Sequence, residues 1–263
     1  MALQKYFEKH RADLVLLMFT VRNDIEDNVF PISGFNKTIK PTFWLEKGQI
    51  SGPSEGWLEP TGPKLKLLLL WKFYIGEKIG ESRMKLWEKD MLPPAYQGLK
   101  DYNGKVDYSW QEMWNRNPHD AFAGIEYERL DPSGTELTPR SELRLYGINL
   151  TRKLLSGIKT LVEKNNGHFI IFKEERPWEL LDIAEEKVYY LNGKYYKLSL
   201  GQHHETLKDI FEGFEHYRIP LPMDRHTVSE QDEHLNPQAI DILMKELAFI
   251  IGTKDYFEKG NVF

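Results

Sequence analysis

Residues 14–28 read LVLLMFTVRNDIEDN. Asp13 opens an unbroken apolar run from Leu14 to Phe19. A run this short and apolar, with no alternation, suits a strand covered on both faces, as the strands of parallel sheets are. A polar block follows at once, and VRNDIEDN, residues 21–28, reads as the loop after that strand. Open α/β sheets take ligands at the carboxyl ends of their strands, so Asn23 and Asp24 stand where chemistry is expected. The Asn23 amide is able to donate to a developing oxyanion. Asp24 is able to hold the loop by accepting backbone N–H bonds. An ordinary Asx turn after a strand explains the same residues.

Upstream, residues 2–11 read as an amphipathic helix with Leu3, Tyr6 and Phe7 on one face. Downstream, residues 29–62 are rich in Gly, Pro and Ser and read as an irregular insertion. Pro63 starts an expected helix to about Lys89, with Leu65, Leu68, Leu69, Phe73 and Ile79 near one face. Residues 90–138 form a second long loop region with one short helix near Trp110 to Trp114. Thr138, before Pro139, is the expected N-cap of a helix that reaches Glu163 or Lys164 and stops at Asn165-Asn166-Gly167. His168 to Lys173, HFIIFK, is then a second buried strand. Val188 to Leu191 and Tyr195 to Leu198 flank Asn192-Gly193-Lys194, the signature of a hairpin. Residues 204–214 read as helix and Tyr217 to Leu221 as a short strand. A last helix starts near Asn236-Pro237 and runs to about Ile251, with Leu235, Ala239, Leu243 and Leu247 as its buried stripe.

The composition narrows the classes. The 263 residues carry a net charge of -5, so nothing draws the chain to nucleic acid or anionic membrane. No apolar run approaches the ~20 residues of a membrane span, and charges at Lys5, Glu8, Lys9, Arg11 and Asp13 rule out a signal peptide. The chain as written is expected in the cytoplasm, although a full-length form is compatible with export. The absence of cysteine excludes disulfides and thiolate chemistry. The 13 tyrosines, 14 phenylalanines and 7 tryptophans suit a packed core and equally a groove that stacks sugar rings.

A second block with chemistry reads DEHLNPQAIDILMKEL, residues 232–247. His234 stands just before the last helix, and Asp232 two residues earlier in extended chain. Residues two apart share a side in extended chain, so the carboxylate is able to reach the imidazole and orient it as a base. Acidic residues at a helix start are also explained by the helix dipole alone.

Taken together, the blocks at 14–28 and 232–247 resemble those of the SGNH (GDSL-type) hydrolases. That family has a strand ending in a Gly-x-Asn-Asp block, whose Asn is an oxyanion donor, and a C-terminal Asp-x-His or Asp-x-x-His block before its last helix. The Asp-x-His-Leu-Asn form is similar to the branch with carbohydrate O-acetylesterases and polysaccharide acetyltransferase-like proteins. The resemblance covers residues 1–28 and about 139–251. It implies a three-layer α/β/α sandwich of flavodoxin-like type with a parallel sheet. The expected domain is 1–263, with an insertion at 29–138 and a hairpin at 187–199. It also implies His234 as base, Asp232 as its orienting partner and Asn23 as oxyanion donor, acting on a small-molecule or carbohydrate ester without cofactor or metal.

Two departures stand out. Arg22 occupies the position where the family has glycine. The family's Gly-Asp-Ser nucleophile block and its first strand have no room in the 22 residues before Asn23. The expectation is therefore an N-terminally incomplete hydrolase, inactive as it stands, or a non-catalytic carbohydrate-binding or scaffold protein that kept the fold. Gly80-Glu81-Ser82 lies within the expected helix 63–89, Ser229 is misplaced for in-line attack, and Ser33 is remote. Adjacent His203 and His204 diverge, and His226, Asp232 and His234 are better read through the dyad than as metal ligands. Without its first strands the sheet is expected to expose LVLLMFT as an edge that invites self-association.

Overall fold

A computed structural model describes residues 2–31, 40–54, 85–109, 134–180, 185–191, 193–222, 226–229, 234–254 and 256. Its centre is β5 (His168–Glu175), whose apolar Phe169, Ile170, Ile171 and Phe172 are all buried. A strand covered on both faces needs neighbours on both edges, and β5 has them. On one side it pairs in parallel with β1 (Leu14–Met18), from Leu14↔His168 to Met18↔Phe172. On the other it pairs in parallel with β8 (His216–Pro220), from Ile171↔His216 to Glu175↔Pro220. The order is β1-β5-β8 and the protein is mixed α/β.

Side chains alternate along β5 and meet different helices. Phe169 and Ile171 pack with Phe19, with Val21 and Ile25 of α2 (Val21–Val29), with Ile148, Leu155 and Val162 of α3 (Glu142–Lys164), and with Leu207, Ile210 and Phe211 of α4 (Leu200–Phe211). Leu3 and Phe7 of α1 (Ala2–Phe7) join that cluster. On the other face, Phe172 and Ile219 pack with Leu243 and Leu247 of α5 (Pro237–Thr253). Helices therefore cover both faces of the parallel sheet, as parallel sheets require.

Residues 21–28 are not a loop. They form α2, because Val21, Ile25 and Val29 recur every four residues and bury one face, each at most 6% exposed. Packing of that face outweighs the polar residues between them. Asp24 also accepts the Thr20 N–H at 2.8 Å, which satisfies a donor at the helix start. The helix lies close against α3, where a Cβ on Gly147 would stand 2.8 Å from Ile25 Cγ2 and 3.2 Å from Val29 Cγ2.

The strand LVLLMFT differs from expectation in cover. Val15 and Leu17 pack on the main core, but Leu16 and Met18 are 37% and 39% exposed. Their partners Ile170 and Phe172 point to the α5 side, and α5 covers β5 and β8 rather than β1. Among the described residues β1 is an edge strand.

The helix α3 begins at Ser141 rather than Thr138. Thr138 N–H donates to Lys197 O at 2.8 Å and Leu137 bridges Leu198, which commits these residues to a strand edge. Ser141 caps instead, its hydroxyl accepting Arg144 N–H at 2.9 Å. The helix stops as expected, with Asn165 at its C-cap and Asn166 at φ 60°. The hairpin is β6 (Glu186–Leu191) and β7 (Lys194–Ser199), paired to Leu191↔Lys194, with Gly193 at φ 75°. Its position 192 lies outside the described residues. The hairpin is widened by β4 (Tyr108–Ser109), parallel to β6. Within the expected irregular stretch 29–62, β2 (Trp44–Glu46) and β3 (Gln49–Ser51) form a small hairpin. Phe43, Leu45, Leu92 and Ala95 pack with Phe30, Leu143 and Leu150, so these long connections contribute core. Residues 85–91 are helical, while the rest of the expected helix 63–89 and the one near Trp110 lie outside the described residues.

Ile25 distinguishes a packed helix from a loop after β1. Ile25→Ala is expected to cost about 2–5 kcal/mol, measured by urea unfolding, against the near-neutral result of an exposed loop side chain.

Candidate functional site

All three strands of the parallel sheet end on the same edge. Helix α2 starts at Val21, just past the end of β1. Helix α5 runs back the other way, since beyond its end the Tyr256 ring lies 5.5 Å from His168 at the amino end of β5. The Tyr256 hydroxyl also bonds Glu215, next to the amino end of β8. The start of α5 therefore stands at the carboxyl edge. Asn23, in the first turn of α2, and His234, two residues ahead of the α5 cap, belong to that same edge, with β5 between their strands.

His234 is exposed, and its carbonyl accepts Val228 N–H at 2.9 Å beside a short Thr227↔Leu235 bridge. Asn236 ties this block down. Its Oδ1 accepts Ala239 N–H at 2.9 Å as the α5 cap, its Nδ2 donates to Thr227 O at 3.1 Å, and its N–H donates to His226 O at 3.1 Å. Asp232 lies outside the described residues, and so does the expected Asp232–His234 hydrogen bond. Ser82 and Ser33 lie outside them too. Ser229 is exposed, and its carbonyl accepts the Thr227 hydroxyl.

The same edge holds a buried charged array that the sequence reading did not pick out. The strand β5 runs on past Phe172 through Lys173, Glu174 and Glu175, and all three are buried. Lys173 projects to the side of the main helical core. Its Nζ bonds the Glu179 carboxylate, from the 3-10 turn Pro177–Leu180, and donates to Glu174 O at 2.6 Å. The other Glu179 oxygen stands 3.4 Å from His203 Nε2, and Arg176 N–H donates to Oε2 at 3.2 Å. His203 Nδ1 and Thr135 Oγ1 are 2.8 Å apart, and Thr206 Oγ1 donates to Thr135 O at 3.1 Å. Burial works against the Glu179 charge, but the His203 hydrogen bond and the Lys173 ammonium prevail and bring its pKa down to about 2.

Two further pairs flank this network. Glu175 pairs with Arg218 of β8. His203 and His204 do not diverge as expected, their rings standing edge to face at 5.8 Å, and burial first, then Arg218, lowers the His204 pKa. Arg144 of α3, 4% exposed, pairs with Glu26 of α2 at 2.7 Å. Gly134 fits against that guanidinium, since a Cβ there would stand 1.9 Å from Arg144 Nη2.

Glu174 differs from all of these. Its register partner Ile219 packs under α5, as does Phe172 two residues before it, so Glu174 projects to the α5 face. Burial raises its pKa, with the Lys173 charge offsetting part of the rise. Its Oε2 is buried and, among the described residues, has no hydrogen-bond partner.

The signal for this array was present. The run KEER follows FIIF with no turn residue between them, so an extension of the strand had to bury charge. His203 also precedes Leu207 and Ile210 by four and seven residues, which puts it on the apolar face of α4. No family model, curated protein or solved structure matches the chain.

Two outcomes test the network. Glu179→Gln leaves the Lys173 ammonium buried without a counter-charge and is expected to cost about 3–5 kcal/mol, read by chemical denaturation at neutral pH. The pKa of Glu179 is lower folded than unfolded, so its contribution is complete above the ordinary value of 4.5 and is lost as pH falls toward about 2. Stability is expected to fall through that acid window in the parent chain and to lose that slope in Glu179→Gln, as thermal melts across pH will show.

Proposed function

We propose that this chain carries the carboxyl-edge part of an SGNH-type serine esterase site on a flavodoxin-like sandwich. The observation that supports it is topological. The two blocks that resemble the family, 14–28 and 232–247, lead into helices at one carboxyl edge of one parallel sheet, where α/β proteins bind ligands.

In this reading a serine hydroxyl attacks the carbonyl carbon of an acyl ester. His234 takes the hydroxyl proton as general base and returns it to the departing alcohol oxygen. Asp232 orients His234 and stabilises the imidazolium. Asn23 donates to the oxyanion. The substrate is an acyl ester, with an O-acetylated carbohydrate as the class suggested by the Asp-x-His-Leu-Asn form. The sequence of this chain contains no Gly-Asp-Ser block, which favours a second reading for the chain alone, a carbohydrate-binding or scaffold role.

The 263-residue chain is expected to hydrolyse p-nitrophenyl acetate no faster than its His234→Ala variant. An extended form that includes an in-frame strand–Gly-Asp-Ser segment encoded upstream of Met1 is expected to turn the ester over. His234→Ala should then cut kcat by at least about a thousandfold. Turnover by the unextended chain that disappears in Ser82→Ala, or an extended form indifferent to His234→Ala, would refute the reading.

A further inference from the structure

Glu174 is a buried carboxyl whose Oε2 has no hydrogen-bond partner among the described residues. The other buried charges at this edge have counter-charges: Lys173 has Glu179, Glu175 has Arg218 and Arg144 has Glu26. Among the described residues Glu174 has none, and an unpaired buried carboxyl oxygen is costly. An isosteric apolar side chain would pack against Ile219 and α5 without that cost. A residue kept against its packing interest at the carboxyl end of a central parallel strand points to a ligand.

Its surroundings say what the ligand offers. Phe172 and Ile219, on the same face of the sheet as Glu174, pack against Leu243 and Leu247 of α5, and the buried stripe of that helix, Ala239, Leu243 and Leu247, is apolar. Among the described residues, Lys173, Arg176 and Glu179 act on its charge, and His234 stands at the entry to α5. The amino end of α5 is the positive end of a helix dipole, which favours a ligand carrying negative or partly negative oxygen. The Asn236 side chain accepts Ala239 N–H, so that backbone donor at the start of α5 is occupied.

We propose that Glu174 is a substrate-contacting residue that holds the acyl oxygen of the ester, and afterwards the carboxylate product, at the end of β5 on the α5 face of the sheet. This rests on the esterase reading and adds to it a donor beyond Asn23. Burial raises the Glu174 pKa and so favours the neutral carboxyl, and a neutral carboxyl donates where a carboxylate repels. The contact is non-covalent. When a carboxylate binds to the ionised protein, one proton from solution ends on Glu174, in the hydrogen bond between the two oxygens.

Acetate is the probe, because it needs no nucleophile. Its affinity is to be measured by carbon-13 shift titration of labelled acetate between about pH 5.5 and pH 8, where linked protonation gives a limiting slope of about tenfold per pH unit. The parent chain is expected to bind acetate more tightly as pH falls. Glu174→Gln keeps a donor of the same shape, so it should bind acetate with that slope removed. Glu174→Leu should weaken binding by at least about tenfold at the acid end, as loss of a buried charge-assisted contact does. His234→Ala should keep the slope, which separates Glu174 from the imidazole. Absence of acetate binding in the parent chain, or an unchanged slope in Glu174→Gln, overturns the proposal. An active extended chain whose acetate binding ignores Glu174 removes this inference and leaves the esterase reading. Glu174-dependent binding with an inactive extended chain does the reverse.

Discussion

The structure depends on β5 being covered on both faces over its whole length. Its apolar residues last only to Phe172, yet the strand continues through Glu175 because β8 pairs with it there. Three charged side chains are thereby carried into the interior. Burying a charge costs several kcal/mol unless it is paired, so neighbouring elements must bring partners. The 3-10 turn brings Glu179 to Lys173, β8 brings Arg218 to Glu175, and α4 with the Thr135 segment brings His203 to Glu179. The positions of these elements follow from that need as much as from apolar contact.

This arrangement makes the carboxyl edge rigid on one face of the sheet and leaves it chemically incomplete on the other. On the main helical side, Lys173, Glu179, His203 and Thr135 are linked through a chain of buried hydrogen bonds and ion pairs. Such networks specify one geometry, since any partial rearrangement strands a charge. On the α5 side, Glu174 Oε2 has no hydrogen-bond partner among the described residues, and the Asn236 cap holds the His234 block on the adjoining segment. Local departures from good packing concentrate where a protein uses its surface. The contrast between the two sides fits a scaffold that holds one wall of a site fixed and keeps the other for a ligand.

Much of the architecture is legible in the residues themselves. FIIF as a buried strand, the hairpin turning through Gly193, Asn-Asn-Gly as a helix stop and Asn-Pro as a helix start each rest on local stereochemistry, and each is where expected. The failures share a cause. VRNDIEDN looks like a loop because its polar residues outnumber its apolar ones, and only the surface of α3, with Gly147 allowing close approach, makes Val21, Ile25 and Val29 a buried face. Thr138 looks like a cap until Lys197 takes its N–H.

The amino-acid sequence determined the parallel strands that begin at Leu14 and His168, the long helix that stops at Asn165, and the last helix that starts after Asn236 with His234 just before it. These follow from periodicity and capping, which act over a few residues. Tertiary structure alone decided that β1 is exposed at Leu16 and Met18, that Glu179 meets both Lys173 and His203, and that Glu174 Oε2 is buried without a partner among the described residues. Burial and pairing between residues distant in the chain are set by which surfaces meet, and a local pattern of residues carries no record of that.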